Sequence, residues 1–203
     1  MKEKFLKTKG GKLFEDRFAL LTLWQEIAEI FYPERADFTL DRWVGEELSF
    51  GLSSSDCPLV RRDLANSIGG ILRPTNKNWF HMRTSSWDQV SGEGRAWLER
   101  AEERQRRAMY YRFSGFSRAT KEADADFITF GQAVIQVSLN TAADNLLYRC
   151  YHLRDCAWSE NADGIVDTVF RKTRFDAQDL VRMFPKTVHS SIREKARDHP
   201  FDK

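Results

Sequence analysis

The hydrophobic period of this chain changes from helical to alternating at Gly131, and that change sets its architecture. Before Gly131 apolar residues recur every three to four positions, as on one face of a helix; after it they alternate, as on a half-buried strand. Leu20, Trp24, Ile27 and Phe31 make the stripe of a helix over residues 13–32, which Pro33 stops because the residue before proline avoids the α region. Val60, Leu64, Ile68 and Ile71 make a second stripe over residues 58–72, capped by Asp56 and closed by Pro74. A third helix is expected over 94–113 and a fourth over 117–130, with Ser117 as its cap and Gly131 as its terminator. Neither of the first two stripes can stay in water, so Trp24, Ile27, Leu64 and Ile68 are expected in one helical core. Leu64→Ala should then cost ~2–5 kcal/mol.

Beyond Gly131, Ile135, Val137 and Leu139 alternate, and so do Leu147, Arg149, Tyr151 and Leu153. Residues 156–160 and 165–174 flank Asn161-Ala162-Asp163-Gly164, where Asp-Gly is a strong hairpin signal. The expectation is a four-strand antiparallel meander over 133–174. Two short helices, near 176–184 and 187–197, close the chain. The fold class is therefore α+β: N-terminal helices packed with a small antiparallel β meander, then short C-terminal helices. Three regions follow: a basic arm at 1–12, a mainly helical region at 13–131, and the meander with its trailing helices at 132–203.

The arm carries five Lys, one Glu and two Gly, and reads as mobile. Residues 34–56 show no period but hold Phe38, Trp43 and Phe50. A loop this long either packs its aromatics on its own domain or meets a partner. Arg100, Arg104 and Arg107 belong to an Arg-rich helix interleaved with Glu99, Glu102 and Glu103, the mixture of a salt-bridged face.

Charge and composition exclude several classes. With 32 Lys+Arg against 30 Asp+Glu over 203 residues, the net charge of +2 is too small for a protein that coats nucleic acid generally. At 41% hydrophobic residues the chain has enough apolar content for a core and is not a disordered polyampholyte. The most apolar stretch, residues 18–32, contains Gln25, Glu26 and Glu29, so no membrane span is expected. The N-terminus lacks the apolar region of a secretory signal. Cys57, Cys150 and Cys156 lack zinc-site spacing and read as reduced thiols.

Chemistry-bearing patterns are sparse. Cys150 and His152 lie two apart on one strand, the spacing that shares a face, and a packed Cys beside a partly exposed His is the plainer reading of that pair. The four His are scattered, and Asp124 and Asp126 do not share a helix face. Gly69-Gly70 ends a helix, the wrong polarity for an anion cradle. No catalytic residue, cofactor or metal is assigned, and an enzyme is not expected.

Three segments in order carry a family resemblance. The first is Ser53-Ser54-Ser55 through residues 62–74, ending Arg73-Pro74, with Asn78-Trp79-Phe80 after it. The second is Phe113-Ser114-Gly115-Phe116 leading to Phe130-Gly131. The third runs from Leu147-Tyr148-Arg149 through His152-Leu153-Arg154-Asp155 to residues 167–171. This order resembles the N-terminal part of portal proteins, the head-to-tail connectors of short-tailed bacteriophages, over roughly residues 13–185. Gly115 stands where the family usually has Asn, which removes a capping side chain. Family members are longer, continuing into channel helices, a clip and a crown, so the resemblance implies the outer, wing-like part of a portal, from a cut or interrupted chain.

What the resemblance implies is a structural role. Portals are homo-oligomeric rings, usually dodecamers, at one capsid vertex of the virion, and they assemble in the host cytoplasm. DNA passes through them during packaging and ejection without sequence-specific binding, and a separate terminase supplies the ATPase. The implied partners are neighbouring subunits and the capsid protein, with the tail adaptor and terminase reached through the longer parts. Phe38, Trp43, Phe50, Arg100, Arg104 and Arg107 are the candidate subunit or capsid contacts. Alone, the chain is expected to be mostly monomeric or weakly associated. The rival reading is a free-standing α+β module that uses the basic arm and the Arg-rich helix on nucleic acid.

Overall fold

A computed structural model describes residues 2–43, 45–48, 52, 54–74, 77–85 and 89–199. Its elements are α1 (Lys2–Glu15), α2 (Phe18–Phe31), α3 (Asp56–Leu72), α4 (Gly92–Met109), α5 (Phe116–Phe130), β1 (Val134–Leu139), β2 (Leu146–Tyr151), β3 (Cys156–Glu160), β4 (Val166–Arg171), α6 (Ala177–Met183) and α7 (Ser190–Asp198). The fold is α+β, with helices before and after a small antiparallel β region, as the change of period implies.

The first core gathers around α2. Trp24, Ala28, Ala36, Phe38, Phe130 and Leu153 are buried together, and Leu20, Leu21 and Ile27 flank them. The rings of Trp24, Phe38 and Phe130 meet with centroids 5.1–5.9 Å apart, at the tilted angles that aromatic quadrupoles favour. A second cluster buries Met109, Phe116, Ala119 and Tyr148, with Trp79 and Phe80 against it.

Helix α3 does not join the first core as its apolar stripe suggests. Leu64 is 48% exposed and Ile71 is 78% exposed, while Ala65 is the buried residue. The helix turns its small side toward α5. A Cβ on Gly69 would stand 2.7 Å from Asp124 Oδ2, so that carboxylate sits directly on the helix backbone. Arg73, the residue that caps this helix, reaches over to pair with Asp124. Close approach through Ala65 and Gly69 thus takes precedence over burial of Leu64, and the expected core cost at Leu64 does not apply.

The stretch expected as a mobile arm is helical. Gly10 is buried on α1, and a Cβ there would lie 3.0 Å from the Phe170 ring. Lys9 Nζ donates to Thr168 Oγ1 at 3.4 Å. Two adjacent glycines weaken a helix in isolation; here the first lets α1 lie flat on β4, and docking supplies the stabilisation that propensity does not.

The four strands form two separate hairpins rather than one meander. β1 pairs with β2, with Val137 opposite Tyr148, and β3 pairs with β4, with Trp158 opposite Val169. Between them Leu153–Asp155 makes a 3-10 turn whose buried Leu153 plugs the first core. That turn rotates the chain away from β2 and carries β3 to α1. The tight turn at Asn161–Gly164 is as expected: Gly164 N donates to Asn161 O at 3.1 Å, and Gly164 holds φ of +73°.

The cap of helix α5 lies two residues before Ser117. Its N-cap is Gly115, at φ +71°, and Ser114 Oγ accepts from Phe116 N at 3.2 Å. The left-handed region tolerates Gly and Asn and penalises branched residues. A conformational requirement shared by Gly and Asn therefore accounts for this position better than a lost cap. Gly115→Val should lose about 1–3 kcal/mol, the more so because a Cβ would stand 3.0 Å from Tyr148 O. Gly115→Asn should lose less. Urea midpoints of the two variants check the order, and equal losses would remove the backbone explanation.

Candidate functional site

The segment after α2 is held by side chains from three directions. Gln25, buried on α2, donates to Ala36 O at 3.0 Å and accepts from Phe38 N at 2.8 Å. Arg35 grips Asp126 of α5 with two parallel bonds, Nε to Oδ1 at 3.1 Å and Nη2 to Oδ2 at 3.0 Å. Asp37 receives Arg154 Nη1 at 2.8 Å and lies 2.7 Å from His152 Nε2. His152 Nδ1 accepts from Arg154 N at 3.0 Å, which places the ring proton on Nε2, facing Asp37. The loop is thereby fastened to α2, to α5 and to the end of β2.

Burial decides the electrostatics of these groups. Desolvation pushes the Asp126 carboxyl above its ordinary value, against the opposing pull of Arg35. Burial acts the same way on Asp37, yet the His152 hydrogen bond and the charges of Arg154 and Arg35 outweigh it and hold that carboxyl low. A lowered carboxyl contributes stability above its unfolded value and loses it as pH falls through the folded value. The stability difference between the native chain and Asp37→Asn should therefore shrink as pH drops below about 4. Urea titrations of both chains between neutral and acid pH read it directly. A difference that stays constant with pH would show that Asp37 makes no charged contact.

The Cys150 and His152 pair does not form a reactive unit. Cys150 Sγ lies 3.7 Å from Asp126 Oδ2, and His152 faces Asp37 instead. Desolvation, with Asp126 adding to it, pushes the Cys150 thiol up to about 12, and Cys156 is pushed up to about 11 mainly by burial. Both stay protonated at neutral pH, which makes them poor nucleophiles. Among the described residues no cluster of His, Cys, Asp and Glu could hold a metal ion. No described helix is long and apolar enough to cross a membrane.

The expected contact residues separate into three groups. Phe38 is 5% exposed inside the first core and has no surface to offer a partner, because its loop folds back on α2. Phe50 lies outside the described residues. Trp43 is 72% exposed, and Arg100 and Arg104 are exposed on α4. Arg107 is exposed and paired with Glu103. The sequence reading missed Trp97, which is 62% exposed and stands three, seven and ten residues before Arg100, Arg104 and Arg107. That spacing puts all four on one face of α4. The opposite face carries the buried Glu102, which accepts from Asn78 Nδ2 at 2.9 Å and Met82 N at 3.2 Å. Glu102 anchors α4 to the segment before it and leaves the Trp97 face free. A helical reading of residues 97–107 alone marks that face.

Arg17 was also missed. Its guanidinium lies between the rings of Phe14, Trp24 and Trp158, at 5.0–5.9 Å, and Nη2 donates to Leu153 O at 2.8 Å. A half-buried cation facing aromatic rings ties α1, α2 and β3 together.

The ionisable groups of this region fasten one loop, while Trp43, Trp97 and the α4 arginines Arg100, Arg104 and Arg107 stand exposed. A family model described as bacteriophage head to tail connecting protein matches residues 4–203, and the chain belongs to that family. As a connector it is a structural component of the phage particle and assembles with other phage structural proteins. No curated protein matches it.

Proposed function

We propose that this chain forms part of a closed ring at one vertex of the capsid, through which DNA is packaged and ejected. Its membership of the connector family over residues 4–203 is the observation that carries this reading. A cyclic ring closes through heterologous contacts, one face of a subunit against a different face of the next. The α4 face of Trp97, Arg100, Arg104 and Arg107, with the exposed Trp43, has the Trp and Arg content typical of contact centres. It is the proposed contact with a neighbouring subunit or with the capsid protein.

A photoreactive phenylalanine analogue in place of Trp97 tests the assignment. Irradiated particles should yield adducts to a second copy of the chain or to the capsid protein. The same analogue at Glu160, exposed at the end of β3, should give few. An adduct pattern no stronger at position 97 than at position 160 would show that α4 faces solvent in the assembled particle.

A further inference from the structure

Several cations in and just after the β hairpins line two adjacent clefts. Two clefts of about 800 and 660 Å³ flank residues 171–174 where the chain leaves β4, and Arg171 and Thr173 line both. Lys172 and Arg174 add to the first cleft, and Arg149 adds to the second. Arg154 and Arg182 also reach these walls, but they are engaged, the first with Asp37 and Asp155 and the second with Asp179. Arg149, Arg171, Lys172 and Arg174 are exposed and make no ion pair with a carboxylate among the described residues. Asp41 is the one remaining acid in the lining. Four open cations against one carboxylate make this face far more positive than a chain of net +2 implies.

Two of the cations are held in place without being neutralised. The Arg171 guanidinium lies 4.0 Å from the Tyr151 ring centroid, and Lys172 Nζ lies 4.2 Å from that of Phe14. A ring face orients a cation and leaves its charge available. The hydroxyls of Ser138, Thr141 and Thr173 line the same clefts as donors suited to phosphate oxygens.

We propose that this face binds the backbone of duplex DNA through Arg149, Arg171, Lys172 and Arg174, without reading sequence. The clefts are two open, donor-rich lobes on either side of an extended segment. An acidic protein partner would need a central apolar anchor pocket, whereas a duplex needs only a row of positive charge facing its regularly spaced phosphates. This surface is separate from the α4 face proposed for subunit or capsid contact, and the two assignments stand or fall independently.

Fluorescence anisotropy of the full chain with a labelled 20-bp duplex of arbitrary sequence tests the proposal. Three or four neutralised phosphates predict that affinity falls roughly 40–150-fold between ~50 and ~200 mM salt. Arg171→Gln/Lys172→Gln should reduce the slope of log affinity against log salt by about 2. Arg149→Gln/Arg174→Gln, which disturbs neither ring contact, should do the same, so a folding defect at 171–172 cannot account for the result. Arg100→Gln/Arg104→Gln on α4 should leave the slope unchanged. No measurable binding at the lower salt, an unchanged slope in both groove variants, or loss of binding in the α4 variant would each overturn the proposal. Binding of an acidic polypeptide in preference to the duplex would overturn it as well.

Discussion

Replacing Arg35 by alanine is expected to lower the stability of the chain by about 3–5 kcal/mol, among the largest single-residue effects in the molecule. Its partner Asp126 is 1% exposed, and Arg35 supplies both of the bonds that its carboxylate receives from a cation. Without Arg35 a buried carboxylate loses its counter-charge in a setting where burial already pushes it up. The sign of the pH dependence follows. Above the ordinary carboxylate value the unfolded chain carries Asp126 ionised, and the variant must bury that charge or bind a proton. Below it both states are protonated. The loss is therefore greatest near neutral pH and shrinks in acid. Thermal unfolding near neutral pH should show a midpoint lower by about 6–20 °C. Arg35→Met/Asp126→Leu should recover much of it, since an apolar pair removes the desolvation cost. A single variant as stable as the native chain would mean that the pair contributes nothing.

Phe38→Ala is expected to cost a similar amount, about 3–5 kcal/mol, because it empties the centre of the first core. The Phe38 ring touches those of Trp24, Phe130 and His152, with centroids 5.6, 5.1 and 4.7 Å away. No neighbour can close that space without moving the loop that Gln25, Arg35 and Asp37 hold fixed. The experiment also separates two roles for this residue. A core Phe38 destabilises the isolated chain when truncated. A contact Phe38 would leave the isolated chain intact and weaken only its assembly. Urea unfolding of the purified chain distinguishes them.

The residues explain which features could be read from the sequence. The period change at Gly131, the α2 stripe through Trp24 and the Asp163-Gly164 turn are local signals, complete within a dozen residues. Phe38 has no such signal, because it lies in a segment without period and is buried by a fold-back that Gln25 directs. Helix α3 presents two plausible faces, one of large residues through Leu64 and one of small residues through Ala65 and Gly69. Hydrophobicity favours the first, and only the proximity of Asp124 shows that the second is the packed one. The charge pairs are further out of reach: Arg35 and Asp126 lie 91 residues apart, and Asp37 and Arg154 lie 117 apart. The cationic face is similarly hidden, since Arg149 and Arg174 are distant in sequence and a net charge of +2 averages their field away. The α4 face sits between these cases. Its arginines were visible, but Trp97 gains its meaning only once Glu102 is seen to anchor the opposite side.

Immunogold labelling of intact and emptied phage particles with an antibody to this chain locates it in the assembled particle. A connector within a vertex ring predicts label at a single vertex of each head, at the junction with the tail, retained after the DNA has left. Label spread over all vertices, or a chain absent from purified particles, would contradict it.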